Sequence, residues 1–363
     1  MIHLHIGRHK TGTTAIQDFL SANRAILAQH GILYPAELTG TQAHHGLVLA
    51  LEERNNASRN PRGLDSVVDT RLSDYLGRLR AEAHAAPDSI ISSEGLQRVD
   101  PRLVAEMFGA DVKILVYLRE QLDYMLSAYA QEVHNGLATR TFAEFADASH
   151  YYYGTFLDRW ADVFGGARLV VRIYDRASLA RGDVVADFIS VVGLDTVPGL
   201  VRPEIDANPS LSALLVYTKR LLNRLLTRAE QRDWSLYGVF ELLAASDSSA
   251  QRRIPVSAET RRAVHERYRR DNEYVSRRYF RSATDVFRFG PTDETDSPFA
   301  DSDVAAMLAQ LSVLSPPAYE RLMRNAADIG FVERLPLDEQ RLAQHLLRVR
   351  DLDLGSRRSL LDA

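Results

Sequence analysis

The chain has 363 residues, of which 45% are hydrophobic and 25% are charged, a composition typical of a folded globular protein and not of a disordered or fibrous one. The formal net charge of −4 gives no general attraction to nucleic acid or anionic membranes, so an anion site would have to be built locally. Cysteine is absent, which excludes disulfides, thiolate metal sites and cysteine nucleophiles.

Short apolar runs alternate with longer segments of helical periodicity over the first two thirds of the chain. This alternation predicts an α/β fold in which a central parallel sheet is flanked by helices. Asp100 followed by Pro101 predicts the start of one helix, and Gly109 predicts its end. The predicted strands are Ile2–Ile6, Ser89–Ile91, Val112–Leu118 and Arg168–Tyr174.

The last third of the chain has a different pattern, because strand-like runs disappear from about Ser210. The segments Leu211–Leu225, Glu259–Phe280 and Gln340–Val349 have apolar residues three and four positions apart, which predicts helices. Proline and acidic residues are frequent between Gly290 and Asp303, which predicts a linker. We therefore expect one domain over residues 1–290, with helical additions from about residue 201, and an acidic linker with a small helical tail over residues 291–363.

The chain begins directly with a strand-like segment and shows neither a basic leader with an apolar core nor a run long enough to span a bilayer. These patterns predict a cytoplasmic protein without a membrane span, and the net charge predicts that nucleic acid is not a partner. The oligomeric state is not indicated by any pattern.

The strongest functional pattern directly follows the first predicted strand. Residues 7–14 read Gly-Arg-His-Lys-Thr-Gly-Thr-Thr, and an amphipathic helix is predicted over Ala15–Gln29. A loop between a strand and a helix directs backbone N–H groups and the positive end of the helix dipole at one place, where phosphate or sulfate can bind. Lys10 and the hydroxyls of Thr13 and Thr14 would complete this anion cradle. The alternative is an ordinary strand-to-helix turn with a solvated lysine.

The position of the lysine distinguishes this loop from the usual nucleotide-binding P-loop. Lys10 precedes the second glycine, Gly12, whereas in G-x-x-x-x-G-K-[ST] the lysine follows it. Lysine is rare in this chain, Lys113 and Lys219 being the others, so its place in the loop indicates a requirement for a compact positive charge. The loop resembles the 5′-phosphosulfate loop of sulfotransferases that use 3′-phosphoadenosine-5′-phosphosulfate (PAPS), whose pattern is approximately G-x-x-K-x-G-T-T/S.

A second match lies at the end of the third predicted strand. Arg119, Ser127 and Tyr129 are in register with the 3′-phosphate pattern of the same family, approximately R-x-P-x-x-R-x-x-S-x-Y. The resemblance implies that Arg119 and Ser127 bind the 3′-phosphate of PAPS. Gln121 and Tyr124 depart from the pattern, which has proline and a second arginine in those places.

The resemblance to the PAPS-dependent sulfotransferase superfamily covers just over half of the chain. It implies a P-loop fold and the transfer of a sulfuryl group from PAPS to a hydroxyl or amine, with 3′,5′-ADP (PAP) as the product and no need for a metal. The acceptor stays unidentified and could be a carbohydrate, lipid, peptide or small metabolite. The implied nucleotide contacts are Arg8, Lys10, Thr11, Gly12, Thr13, Thr14, Arg119 and Ser127.

In-line sulfuryl transfer depends on neutralising the leaving oxygen and on a base that accepts the proton of the acceptor. Lys10 is suited to the first task. Glu94 is a candidate base because it follows a predicted strand at the carboxyl end, where open parallel sheets bind their ligands. His44 and His45, which follow the first predicted helix, are the alternative, because imidazole transfers protons near neutral pH.

Two other functions stay open. A P-loop kinase or NTPase would use Glu94 and its preceding serines to organise Mg²⁺ and would use Thr13 as a metal ligand, although the lysine placement argues against this. A noncatalytic nucleotide-binding module would keep the fold without turnover. The presence of Lys10 and of candidate bases favours an enzyme.

Overall fold

The computed structural model describes residues 1–36, 42–59, 70–203, 211–247, 253–288 and 299–361. The chain forms two compact units, and each unit is assembled from three chain segments. The first unit comprises Met1–Gln121, Tyr151–Ile205 and Arg267–Phe289, and the second comprises Leu122–His150, Asp206–Glu266 and Gly290–Ala363.

The first unit contains a parallel sheet of five strands, β1 (Ile2–His5), β2 (Ile32–Leu33), β3 (Asp88–Ser92), β4 (Val112–Leu118) and β5 (Leu169–Ile173). The strand order is β2-β3-β1-β4-β5, and every neighbouring pair is parallel. This confirms the predicted α/β class with a parallel sheet. Strand β2 is missing from the prediction because two residues leave no apolar run to detect.

Helices connect the strands and form most of the second unit. The predicted start of α5 is confirmed, because the Asp100 side chain accepts a hydrogen bond from the Arg102 N–H at 3.0 Å and Pro101 is the first helical residue. Gly109 follows the last helical residue with a φ of 81°, as predicted. In chain order the helices are α1 (Thr13–Ala22), α2 (Arg24–Gln29), α3 (His45–Arg59), α4 (Thr70–Ala85), α5 (Pro101–Phe108), α6 (Gln121–Asn135), α7 (Phe142–Ala148), α8 (Tyr153–Phe164), α9 (Val184–Val192), α10 (Ala213–Leu225), α11 (Arg228–Asp233), α12 (Leu236–Ala245), α13 (Ala258–Phe280), α14 (Asp301–Leu314), α15 (Pro316–Ala326), α16 (Ile329–Val332) and α17 (Leu337–Leu361).

Two apolar cores cover the two faces of the sheet. Side chains alternate between the faces of a strand, so Ile114 and Val116 of β4 belong to one core, while Leu115 and Tyr117 belong to the other. Helices α3, α4, α5 and α8 contribute to the first core, and α1, α2 and α9 contribute to the second. The sheet is therefore flanked by helices on both faces, as predicted.

The described part of the chain after residue 210 is mainly helical, as predicted. The three predicted segments correspond to α10, α13 and α17. Most of the predicted linker, from Gly290 to Pro298, lies outside the described residues, and helices α14 to α17 follow it. One boundary between the two units falls between Phe289 and Gly290, and further boundaries divide the range 1–290.

A buried cluster of charges joins α10 to α17 in the second unit. Arg220 and Glu339 are both 0% exposed, and the Arg220 Nε donates a hydrogen bond to the Glu339 carboxylate. Asp338 lies 2.7 Å from the Arg220 Nη2, and the Arg224 Nε donates to the second oxygen of Glu339 at 2.9 Å. Two cations and two anions therefore neutralise one another, and the Tyr129 hydroxyl accepts a further bond from Arg220 at 2.7 Å.

Across the described part of the chain, no helix combines the length and the apolar composition needed to cross a membrane.

Candidate functional site

The loop at residues 7–12 joins the carboxyl end of β1, the middle strand, to the start of α1. Gly12 precedes the helix with a φ of 76°, no side chain caps the helix start, and the first turn contains no acidic residue. The N–H groups of the first turn have no partner inside a helix. The start of α1 therefore offers hydrogen-bond donors together with the positive end of the helix dipole.

Glycine is required at position 12 for two reasons. Its φ lies in the left-handed region, which other residues adopt at a cost. A Cβ atom added there would lie 2.8 Å from Val184 and 2.9 Å from the Tyr174 ring. The approach of the loop to these two side chains therefore depends on Gly12.

Lys10 adopts a strained backbone conformation, with a φ of 64°. Its carbonyl accepts a hydrogen bond from the Arg119 Nη1 at 3.2 Å. Within the loop, the Thr11 hydroxyl donates to the Arg8 carbonyl at 2.6 Å. These bonds hold a conformation that a lysine would otherwise adopt rarely.

Two cations meet at this loop. Burial lowers the pKa of Lys10, and the nearby charge of Arg119 lowers it further. No carboxylate in the described part of the chain offsets these effects on Lys10. Because burial and a neighbouring like charge disfavour the charged form of Lys10 and a bound anion would favour it, this arrangement is typical of an anion site.

The residues predicted to contact the nucleotide differ in how far their side chains are buried. The Arg8 guanidinium is buried, with its carbon 5.1 Å from the centroid of the Tyr153 ring and 5.0 Å from that of Phe156. The Thr11 hydroxyl is engaged within the loop. Thr13 is buried and Thr14 is exposed at the start of α1, while the roles of all four residues in nucleotide binding stay predictions.

The second predicted motif is divided between the two units. Arg119 follows β4 in the first unit, where its carbonyl accepts a hydrogen bond from the Tyr153 hydroxyl at 2.5 Å. Ser127 lies half-buried on α6 in the second unit. Tyr129 is buried, and its hydroxyl donates to the Arg140 carbonyl at 2.8 Å, which gives it a structural role. A joint role of Arg119 and Ser127 stays a prediction.

Glu94 belongs to a chain of hydrogen bonds at the carboxyl ends of β1 and β3. Its Oε2 accepts a bond from the Gln17 Nε2 at 3.0 Å, and its Oε1 lies 4.0 Å from the His9 Nδ1. Gln17 also donates to the Ser92 hydroxyl at 3.3 Å, and that hydroxyl lies 2.8 Å from the His5 Nδ1. The loop, α1 and β3 therefore fix the position of Glu94 together.

The protonation states at this site follow from its neighbours. Burial favours the neutral form of Glu94, but the bonds from Gln17 and the Glu94 N–H, with His45 and His9 nearby, lower its pKa overall. Burial and nearby cations, including Lys10, lower the pKa of His9, although Glu94 opposes this. At neutral pH a carboxylate therefore lies beside an uncharged imidazole, and both can accept a proton.

The two predicted histidines have different surroundings. His44 is fully buried; its Nδ1 accepts from the Ser92 N–H and its Nε2 donates to the Pro35 carbonyl, both at 3.2 Å. Burial lowers the pKa of His44 to about 4, so this geometry favours a structural role. His45 is half-buried at the start of α3 and is close enough to Glu94 to lower its pKa.

Sequence reasoning gave no role to His9 or Gln17. His9 stands at a variable position of the loop pattern, so its residue type alone indicates nothing. Gln17 did carry a signal, because it is a buried amide between the apolar residues Ile16 and Phe19 of α1. A buried amide requires a polar partner, and here the partners are Ser92 and Glu94.

The fold and the site together define an α/β protein with a candidate anion-binding loop at its middle strand. A protein of Archaeoglobus fulgidus, described as an uncharacterized protein, is 32% identical over 168 residues, which are 46% of this chain and 46% of that protein. The chain thus matches about half the length of this relative. No protein-family model matches the chain, and no solved structure matches it significantly.

Proposed function

We propose that the chain is a PAPS-dependent sulfotransferase with a P-loop-type nucleotide site. The observation that carries this proposal is the loop at residues 7–12, where Lys10 stands ahead of Gly12 beside an uncapped helix start. Ligands of open parallel sheets bind in the crevice at the carboxyl ends of the strands, where the connections leave in opposite directions. Strand β1 lies between β3 and β4, so its loop is at such a crevice.

The donor groups of the loop suit the phosphosulfate of PAPS. The N–H groups at the start of α1, the Lys10 ammonium and the exposed Thr14 hydroxyl are all donors, and Arg119 adds a second positive charge. We assign the 3′-phosphate to Arg119 with Ser127, following the resemblance. The bound co-substrate supplies the sulfuryl group and leaves as 3′,5′-ADP.

The residues of the chain contribute positioning, charge neutralisation and proton transfer. Lys10 neutralises the charge that develops on the leaving oxygen, and its effect is strengthened by its partial burial. Glu94 is ionised and accepts the proton of the attacking hydroxyl or amine. Gln17 fixes one carboxylate oxygen of Glu94, and His45 is the alternative base.

Nucleotide affinities measured by calorimetry distinguish this function from a kinase or NTPase. We expect 3′,5′-ADP to bind the wild type and Lys113→Ala equally, and to bind Lys10→Ala at least about tenfold more weakly, because a charge-assisted bond is lost. Lys113 of β4 is a matched control, since its ammonium lies outside the loop and donates a hydrogen bond to the Val191 carbonyl of α9 at 3.3 Å. Tight binding of ATP–Mg²⁺ without a response to 3′,5′-ADP would favour a kinase or NTPase.

Activity is tested with radiolabelled PAPS and a cell extract as the source of acceptors, followed by mass spectrometry for products heavier by one sulfate. Lys10→Ala is expected to lower transfer by about 10²–10³-fold, the usual cost of losing one group that stabilises a developing oxyanion. Equal consumption of PAPS by this variant would refute the role of Lys10. Binding of 3′,5′-ADP without transfer to any acceptor would favour the noncatalytic module.

The base is tested by Glu94→Gln, which keeps the shape of the side chain. Transfer should fall by about 10²–10⁴-fold, while the affinity for 3′,5′-ADP stays unchanged. Glu106→Gln is the control, because Glu106 forms an exposed ion pair with Arg54. An unchanged rate for Glu94→Gln would move the assignment to His45.

A further inference from the structure

The second unit contains a cavity of about 590 Å³. Neither the loop at residues 7–12 nor the motif at residues 119–129 contributes to its lining. Lys219 of α10 and Gln231 of α11 line it, together with Arg228, Arg232 and Tyr237. Its volume falls within the range of small-molecule sites. The groups on its wall indicate the chemistry of the molecule that it would hold.

Lys219 is only 1% exposed, and hydrogen bonds hold its side chain in place. Its ammonium donates to the Asn223 Oδ1 at 2.6 Å and to the Gln231 Oε1 at 2.9 Å. The Asn223 amide nitrogen donates to the carbonyls of Val133 and Ala138, both at 3.0 Å, so its oxygen must face Lys219. An ammonium has three donors, and these bonds use two of them.

The charge of Lys219 is not neutralised within the described residues. Its partners are neutral amide oxygens, and burial alone lowers its pKa to about 8. The Gln231 Nε2 beside it is buried and has no hydrogen-bond partner in the part of the chain that the structure describes. A buried cation without a counter-ion and a buried amide donor without an acceptor therefore lie side by side, and both are costly to bury.

The rest of the wall adds positive charge and an aromatic surface. Arg228 and Arg232 are exposed and form no ion pair with a carboxylate of the described residues. The rings of Tyr237 and His134 stack at 4.4 Å between centroids. Glu241 contacts the Tyr237 hydroxyl but does not line the cavity.

We propose that this cavity binds a small organic anion, whose oxyanion group accepts hydrogen bonds from Lys219 and Gln231 and whose body packs against the Tyr237 ring. A carboxylate, sulfate or phosphate has the same role here, because each presents several acceptor oxygens. The bound anion turns an uncompensated buried cation into an ion pair, and Arg228 and Arg232 attract it from solvent. This site is independent of the proposed sulfuryl transfer.

The rarity of lysine makes a direct test available. A full chain labelled with ¹³C and ¹⁵N in its lysines gives side-chain NMR signals from Lys10, Lys113 and Lys219. The variants Lys10→Met and Lys113→Met each remove one signal and so assign it, and the remaining signal belongs to Lys219. Lys219 itself is not replaced, so the test does not depend on whether a Lys219 variant folds. The probes are benzoate, phenyl phosphate and phenyl sulfate, with neutral benzamide as the matched control.

We expect at least one of the anions to shift the Lys219 signal saturably and to raise the pKa of Lys219 by about one unit, a tenfold coupling. Benzamide should leave the signal in place. The double variant Arg228→Gln, Arg232→Gln should bind the same anion several-fold more weakly, because it lacks the two exposed positive charges that attract the anion.

Two results would overturn the proposal: an unchanged Lys219 signal with all three anions up to about 10 mM, or an equal response to benzamide. The response of the Lys10 signal to 3′,5′-ADP reports the first unit in the same spectra. The spectra therefore distinguish a lack of anion binding at Lys219 from a lack of nucleotide binding at Lys10.

Discussion

One group of charges from each unit shows two opposite arrangements of charge. In the second unit Arg220 and Glu339 are fully buried and neutralise each other, with Arg224 and Asp338 completing the balance. In the first unit burial and the nearby charge of Arg119 lower the pKa of Lys10, and no carboxylate of the described residues offsets these effects on Lys10. A balanced cluster holds helices together, whereas an unbalanced one costs stability until an anion from outside completes it.

The largest expected effect tests the balanced cluster. Glu339→Gln leaves the buried Arg220 with too little negative charge, which should lower the free energy of unfolding by about 3–5 kcal/mol. Chemical denaturation of the full chain measures the change. Glu132→Gln is the matched control, because it breaks the exposed pair with Arg140 and should cost less than about 1 kcal/mol. Equal effects of the two substitutions would contradict the comparison.

A smaller effect tests the unbalanced cluster with an anion. Sulfate at ten times its dissociation constant should raise the free energy of unfolding by about 1.4 kcal/mol, since it binds only the folded chain. Chloride at the same ionic strength serves as the control. Lys10→Gly should lose most of this gain, while Glu339→Gln should keep it. A gain that is the same with and without Lys10 would show that the loop does not bind sulfate.

The smallest effect concerns the strain at the loop. Lys10→Gly should raise the free energy of unfolding by about 1 kcal/mol, because glycine adopts a positive φ without a Cβ clash and the repulsion from Arg119 disappears. Arg181→Gly is the matched control, since Arg181 also has a positive φ, of 55°, in an exposed turn. The excess gain at Lys10 measures the repulsion, and a loss of stability at Lys10 would mean that its charge is already balanced.

Local chemistry explains which parts of the fold could be predicted from the sequence. Strand β4 was predicted with the bounds that the structure has, because all its residues except Lys113 are apolar or aromatic and polar residues flank the run. The helix start at Asp100 and its end at Gly109 depend on neighbouring residues alone. The strand β2 pairs only through Ile32 and Leu33, which no local pattern marks.

The candidate site was only partly predictable, because its contacts join distant positions. The loop and Glu94 could be named from the sequence, but the bond from Gln17 to Glu94 spans 77 positions. The pair of Arg220 and Glu339 is separated by 119 positions, and each residue resembles an ordinary surface charge of an amphipathic helix. Lys219 was noted only for its rarity, since burial and neutral partners cannot be read from a single lysine.

The assembly of the first unit from three separated segments has a consequence for biosynthesis. Val275 and Phe287, from its last segment, are buried in the same core as Ile2 and Leu4 of the first strand. That core cannot close until the ribosome has released about the first four fifths of the polypeptide. Much of the second unit has left the exit tunnel by then, so the units cannot mature one after the other from the amino terminus, as is usual for domains that follow each other along a chain. A nascent chain stalled before Arg267 should therefore be a substrate for chaperones.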